Sequence, residues 1–273
     1  MVNRKQAACL VIFVCAVIAA LYGFWIEPYT ITVRHLYIKN TRLQKVLCGK
    51  TVVQISDLHI STIGRREKYL LQTLDKLRPD ILFLTGDYVP WNGPYLPALT
   101  FLSRIKASIG VWAVMGDYDY SNSRQSCLFC HMPGTGRPTN VHNVHFLKNS
   151  IDKISLSSGD FSIAGVDYDV FSAEIVQQLL YNTPDILLYH SPLVFDVIDK
   201  RSEVLVLAGD THGGQILLPN WLWKFFGYEK CARYIQGLFK DGKKQMYVSN
   251  GIGTSHVPLR LFRPPEVVVL HFS

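Results

Sequence analysis

Five apolar runs in this chain each end in a short cluster of carboxylate, imidazole or small side chains, and that repetition limits the folds open to it. Thr51 to Ile55 runs into Ser56-Asp57-Leu58-His59, and Ile81 to Thr85 into Gly86-Asp87. Val111 to Met115 leads to Gly116-Asp117-Tyr118-Asp119, and Ile186 to Leu188 to Tyr189-His190. Val204 to Ala208 leads to Gly209-Asp210-Thr211-His212-Gly213-Gly214. Apolar runs of this length read as buried strands. Side chains at the carboxyl ends of such strands meet in the crevice where an α/β sheet binds its ligand. Asp and His are the residue types that hold divalent metals used in hydrolysis.

Between these strands the pattern turns helical. Leu70, Leu71, Leu74 and Leu77 share one face of a helix over Tyr69 to Leu77, and further helices are expected within Pro94 to Lys106, Ala173 to Leu180 and Leu193 to Ile198. Val144 to Leu147, Ile154 to Leu156, Phe161 to Ala164, Gln215 to Leu218, Met246 to Ser249 and Val267 to His271 read as shorter strands, with no internal repeat. The mixture predicts two sheets covered by helices, a layered α/β or α+β domain. At 273 residues, one such domain with a small appendage is the natural count.

The appendage is amino-terminal. Ala7 to Ile26 carries no charge, follows Arg4 and Lys5, and is long enough to span a bilayer. A cleaved signal peptide has a shorter apolar core; Ala19-Ala20 resembles a cleavage site, but the apolar run continues through Trp25 and Ile26. Tyr22, Phe24, Trp25 and Tyr29 fit an interfacial aromatic belt. The expected division is an anchor over 1–30, a linker over 31–50 and a catalytic domain over 51–273, with an inserted Cys/His loop at 121–143. Basic residues flank the apolar run on both sides, so they do not set its orientation. Hydrophobic residues make up 48% of the chain and charged ones 18%, which excludes a disordered protein. The net charge of +7 sits oddly with an Asp-rich site, so the positive excess lies elsewhere. It suits anionic lipid or phosphorylated partners. No tight Lys/Arg run points to nucleic acid.

Taken in order, the five blocks resemble the calcineurin-like metallophosphoesterase superfamily, whose signature runs Asp-x-His, Gly-Asp, Gly-Asn-His-Asp/Glu, a lone His, then Gly-His-x-His. The resemblance covers 51 to about 272. The anchor, Gly213-Gly214-Gln215 and Asn250-Gly251-Ile252-Gly253-Thr254-Ser255 narrow it to a membrane-associated branch. That branch includes bacterial phosphodiesterases and the chlamydial-type UDP-2,3-diacylglucosamine pyrophosphatase. The resemblance implies a four-layer αββα sandwich and two metal ions, one held by Asp57, His59, Asp87 and His212. Asp87 bridges to a second, bound also by His190, with Asp117 and Asp210 as further oxygen ligands. Two cations about 3.5–4 Å apart clamp phosphoryl oxygens and activate water.

Three positions depart from the family pattern: Asp117 replaces Asn, Tyr118 replaces the catalytic His, and Asp210 replaces the first His of the last motif. The added carboxylates favour Mn²⁺, with Mg²⁺ or Fe also suited, over a nitrogen-rich Zn²⁺ site. Tyr118 and Asp87 are the catalytic candidates. A phenol, with a reference pKa near ~10, is a poor proton shuttle at neutral pH, so a leaving group that needs little protonation, such as a nucleotide phosphate, suits this chain. Asp119 reads as a local hydrogen-bond partner.

Outside these blocks, Cys127-Leu128-Phe129-Cys130-His131 matches a haem-attachment pattern; Cys127, Cys130 and two of His131, His142 and His145 would also make a structural zinc clip for the loop, and a buried or disulfide-linked cysteine pair is the third reading. Trp221-Leu222-Trp223-Lys224-Phe225-Phe226-Gly227-Tyr228 reads as an acyl-chain groove, a bilayer contact or the packed core of a loop, with Trp221 as a substrate-binding candidate. Arg260 is a candidate for substrate phosphate. The resulting expectation is a single-pass protein of the bacterial inner membrane that hydrolyses a phosphodiester or pyrophosphate in a phosphorylated lipid or nucleotide-linked substrate. UDP-2,3-diacylglucosamine in lipid A synthesis is the named candidate, and it favours the cytoplasmic face. The alternatives are a broad-range phosphodiesterase or phosphatase and a metal-binding, catalytically silent sensor or scaffold.

Overall fold

The computed structural model describes residues 3–120, 142–168 and 172–273. In chain order the elements are α1 (Arg4–Trp25), a 3₁₀ turn (Glu27–Tyr29), β1 (Thr32–Ile38), α2 (Thr41–Leu47), β2 (Val52–Ile55), α3 (Arg65–Leu77), β3 (Ile81–Thr85), α4 (Leu96–Leu102) and β4 (Gly110–Val114). Then follow β5 (Val144–Phe146), β6 (Ser150–Leu156), β7 (Gly159–Gly165), α5 (Ala173–Tyr181), β8 (Ile186–Leu188), α6 (Val194–Val197) and β9 (Leu205–Ala208). The chain closes with α7 (Asn220–Phe225), α8 (Glu229–Tyr234), β10 (Gly237–Asp241), β11 (Lys244–Val248) and β12 (Glu266–Phe272).

The strands form two six-stranded sheets, ordered β1-β12-β2-β3-β4-β5 and β10-β11-β9-β8-β7-β6. Strands β2 to β5 run parallel, as do β7, β8, β9 and β11. Parallel neighbours require crossovers, and helices such as α3 and α5 supply them, covering the outer faces. Alternation along each strand then sorts the side chains. Val52, Ile81, Phe83, Trp112 and Val114 meet Phe161, Ile163, Ile186, Leu188, Leu205 and Leu207 in a core between the sheets. Val53, Ile55, Leu82 and Leu84 face the other way, onto Leu70 and Leu74 of α3 and Phe101 of α4. Leu187, Val206 and Val248 pack on Val176 and Leu179 of α5 and on Phe195 of α6. Each such buried Leu, Ile or Phe contributes roughly 1.5–3 kcal/mol. The architecture is therefore helix–sheet–sheet–helix, a metallophosphoesterase-type sandwich.

Residues 31–50 correct one expectation, since they are part of the sandwich rather than a linker. β1 pairs in parallel with β12 from Thr32↔Glu266 to Ile38↔Phe272, and α2 buries Leu43, Val46 and Leu47 in the core between the sheets. Asn40 caps α2, its side-chain oxygen accepting from the backbone N–H of Leu43 at 2.9 Å. Residues 215–218, expected as a strand, supply a single bridge between Ile216 and Leu261.

α1 is long and apolar enough to cross a membrane. Its carbons are largely exposed, and only Gly23 is buried along it. Its carboxyl end is fastened to the domain. The Gly23 carbonyl accepts the N–H of Arg260 at 3.0 Å, and the buried Glu27 carboxylate accepts the N–H groups of Phe262, at 2.8 Å, and Arg263.

Candidate metal centre

The registers of β2, β3 and β4 in one sheet and of β8 and β9 in the other bring all five motif loops to one edge of the sandwich. Five of the side chains that result sit on left-handed backbone: Asp57 (φ 51°), His59 (φ 43°), Asp87 (φ 58°), Asp210 (φ 75°) and His212 (φ 52°). None is glycine, and such conformations cost on the order of 1–3 kcal/mol each, a concentration typical of functional sites. Crowding sets the glycines between them. A Cβ on Gly209 would meet Ser56 Oγ and Asp57 Oδ2, and one on Gly116 would meet the Asp87 carboxylate.

All seven predicted ligand side chains come together. Asp57, His59 and His212 form one cluster, Asp117, His190 and Asp210 another, and Asp57, Asp87 and His190 a third that spans them. Within each cluster one ligand atom per residue lies within 4.8 Å of the others. His59 Nε2 is 3.1 Å from His212 Nε2 and 3.4 Å from Asp87 Oδ2. His190 Nε2 is 3.3 Å from Asp117 Oδ1 and 3.5 Å from Asp87 Oδ2. Nδ1 of His59 faces the Val89 carbonyl at 3.2 Å, and Nδ1 of His190 faces the Thr85 carbonyl at 2.7 Å. A neutral ring must donate Nδ1–H to such a carbonyl, which leaves Nε2 as a lone pair aimed inward.

The donor set fits divalent cations. Asp57 Oδ2 is buried without a hydrogen-bond partner, and His190 Nε2 faces only the carboxylate oxygens of Asp117 and Asp87, an expensive condition that a metal relieves. Burial pushes the Asp57 carboxyl up to about 7, with Asp87 adding to the shift and His190 opposing it. Burial lowers the His190 imidazole, but the charges of Asp87 and Asp117 outweigh it and hold the ring well above its usual range. The cluster is thus an excess of buried negative charge that attracts positive charge.

Asp119 fixes the loop instead of facing the clusters. Its carboxylate accepts the N–H groups of Asp87 (2.8 Å), Tyr88 (2.7 Å), Val89 (3.3 Å) and Gly116 (2.8 Å). Tyr118 donates its N–H to Asp87 Oδ1 at 3.0 Å and sets its ring edge-on to His59, with centroids 4.6 Å apart. Burial and the neighbouring Asp87 and Asp117 push its phenol up to about 12, so it stays protonated at neutral pH.

Two residues that the sequence did not single out as site residues stand beside the clusters. The Lys230 ammonium reaches Asp210 Oδ2 at 2.6 Å, so the carboxylate that replaces the family imidazole has its own counter-ion. Asp210 and its neighbours hold Lys230 above its usual range although burial lowers it. His256 Nε2 lies 3.1 Å from the Tyr118 hydroxyl. Neither residue belongs to a motif, and their sequence distance from the ligands gave no signal.

Two substrate-binding expectations are corrected. Arg260 is fully buried, and its guanidinium donates to the carbonyls of Gly253, Asn250, Arg263 and His212. With those donors spent inside the protein, it braces the loop behind His212 and cannot meet a phosphate. Trp221 is 67% exposed and does not line the cavity, whereas Trp91 and the buried Trp223 do. That cavity, about 930 Å³, is lined by Asp87, Asp117, Asp210, His212 and Lys230 and also by Ile216, Trp223, Val257 and Leu259. Cys127, Cys130 and His131 lie outside the described residues. His142 accepts the N–H of Val144 at Nδ1, 3.2 Å away.

The sandwich with a carboxylate–imidazole cluster at its strand ends defines a class, the dinuclear metal-dependent hydrolases. The model of the calcineurin-like phosphoesterase family matches residues 50–214, and the chain belongs to that family. YkuE of Bacillus subtilis, named an uncharacterized metallophosphoesterase, is 28% identical across 91% of this chain and 87% of its own length. An uncharacterized metallophosphoesterase of Aquifex aeolicus is 29% identical, across 93% and 97%. The UDP-2,3-diacylglucosamine pyrophosphatase LpxG of Chlamydia trachomatis is more distant, 25% identical across 97% and 96%. The chain is a metal-dependent phosphoesterase.

Proposed function

We propose that this protein is a membrane-anchored hydrolase of a phosphodiester or pyrophosphate bond in a lipid-linked substrate, working with two divalent cations. The observation that carries the reading is the union of three overlapping ligand clusters with a cavity that the ligands share with apolar side chains. Asp57, His59, Asp87 and His212 would hold one cation, and Asp87, His190, Asp117 and Asp210 the other. Such ions supply Lewis acidity and a water ionised at neutral pH. The oxygen-rich second set favours Mn²⁺ or Mg²⁺. Asp119 orients the Asp87 loop through four backbone bonds, and Lys230 offsets the additional charge of Asp210. Trp223, Tyr228, Val257 and Leu259 suit an acyl chain, while the phosphoryl group would lie at the ligand clusters.

The membrane side of the proposal rests on α1. Its end is bonded to residues 260–263, and Leu261 bonds in turn to residues 215–217, which lead into α7. Trp25, Ile26, Phe262, Leu217, Trp221, Phe225 and Phe226 expose apolar surface along this path. A single-pass helix in a bacterial inner membrane would bring that surface, and the cavity beside it, to the bilayer. The name of the relative LpxG supports a nucleotide-linked lipid substrate, and such a substrate would call for a cytoplasmic domain.

Hydrolysis of bis-p-nitrophenyl phosphate by the full chain in detergent, with Mn²⁺ supplied, tests the chemistry. Turnover should fall at least ~10³-fold on Asp57→Ala or Asp87→Ala. A chain that binds Mn²⁺ yet turns over neither this ester nor a lipid pyrophosphate is the silent scaffold instead.

A further inference from the structure

Phosphoester hydrolysis needs a proton at the leaving oxygen whenever that oxygen belongs to an alcohol. The metal ligands do not meet this need. Asp57, Asp87, Asp117 and Asp210 are acceptors, and Tyr118 stands where the family pattern has an imidazole. An imidazole is nevertheless present, delivered from another part of the chain. His256 lies on the segment after Gly253, which is tied to the last ligand motif through Gln215. Ser255 N–H donates to Gln215 Oε1 at 2.7 Å, and Gln215 Nε2 donates to the Val257 carbonyl at 3.3 Å. These two bonds bracket His256 and hold it in the wall of the cavity that Asp87, Asp117, Asp210 and His212 also line. Its Nε2 is 3.1 Å from the Tyr118 hydroxyl, and the Tyr118 ring lies edge-on to His59. The imidazole is exposed, so it can exchange protons with solvent between turnovers.

We propose that His256 is the general acid for the leaving group, with Tyr118 as its positioning residue. The proposal rests on the hydrolase reading above. Water attacks phosphorus and the P–O bond to the leaving group breaks, its electron pair passing to the leaving oxygen. His256 gives that oxygen a proton, so the product leaves as a neutral alcohol. The attacking water releases one proton to solvent, and the imidazole takes one back from solvent. The sum is one water consumed and one P–O bond cleaved. In the protonated ring Nε2–H donates to the Tyr118 oxygen, which holds the imidazole in the cavity wall and leaves the other N–H for the leaving group.

The test is the leaving-group dependence of kcat/KM for His256→Gln in the full chain with Mn²⁺, over p-nitrophenyl, phenyl and alkyl phosphodiesters. A p-nitrophenolate departs without help, whereas an alkoxide does not. The expected loss is less than ~3-fold for the p-nitrophenyl ester and ~10²–10³-fold for the alkyl ester. Tyr118→Phe, which keeps the acid but releases it, should show a smaller loss with the same trend. Being exposed, His256 can be replaced without opening a cavity, and an unchanged melting temperature and Mn²⁺ affinity check that the variant is intact. Equal losses along the series, or none, overturn the proposal. A wild-type chain that binds Mn²⁺ but cleaves no ester in the series sinks the hydrolase reading, and His256 as its acid goes with it.

Discussion

At the scale of single residues, Asp57 couples the site to pH. Its carboxyl has an ordinary value of 3.8 and is raised to about 7 in the fold, chiefly by burial. A group whose folded value is raised gives stability that is complete below its unfolded value and is lost as the pH climbs through the folded one. The proton on Asp57 therefore supports the ligand-free fold in acid and stops doing so near neutrality. A cation needs the ionised carboxylate and replaces that proton, and the raised His190 must lose its proton in the same sense. Stabilisation by Mn²⁺, read as a shift in melting temperature, should be larger at about pH 8 than at about pH 5.5. An equal or reversed shift contradicts the assignment of these side chains as ligands. Arg260 makes a contrasting prediction. Removing its guanidinium leaves several buried carbonyls unpaired, at roughly 1–3 kcal/mol each. Arg260→Met should lower unfolding free energy by about 3 kcal/mol or more in a denaturant titration. A stable variant with only a raised KM would return Arg260 to the substrate.

Elements explain which parts of this molecule could be read in advance. β2, β3, β4, β8 and β9 are short apolar runs buried on both faces, so composition alone marks them. The ligands follow immediately, and five local signals added up. β1 carries no such mark: residues Thr32–Leu36 are mostly exposed, and the strand exists because β12 pairs with it along its whole length. α2 is built of good helix formers but is only seven residues long, so its cap and its packing are what make it helical. Lys230 and His256 reach the site from α8 and from a loop, and spacing in sequence does not report such contacts. The same element geometry makes Gly209 indispensable at the end of β9. A methyl group there collides with Ser56 and Asp57 at the end of β2. Gly209→Ala should keep the fold, because the added methyl meets the side chains of Ser56 and Asp57 and not backbone, but misalign Asp57. Mn²⁺ affinity by calorimetry is expected to fall ~10–100-fold; an unchanged affinity would show that the two strand ends relax independently.

For the whole molecule, the decisive contact is the one that joins the apolar helix to the catalytic domain. Gly23 is the single buried residue of α1, and a Cβ there would lie 2.5 Å from Leu259 Cδ1 and 2.9 Å from the Arg260 carbonyl oxygen. Leu259 lines the cavity, and Arg260 braces His212. The helix is thus seated on the rim of the site by the absence of a side chain, and Glu27 secures the joint through the N–H groups of Phe262 and Arg263. A branched residue at 23 would lift the helix from that rim while leaving the ligand clusters, which lie on the strand ends, in place. Gly23→Val in vesicles should therefore lose several-fold of its turnover of a membrane-embedded lipid phosphodiester. Its hydrolysis of soluble bis-p-nitrophenyl phosphate should stay within about 2-fold of wild type, because uniform loss of the chemistry requires damage at the ligands themselves. Equal loss on both substrates would mean that the helix holds up the domain and does not aim its mouth at the bilayer.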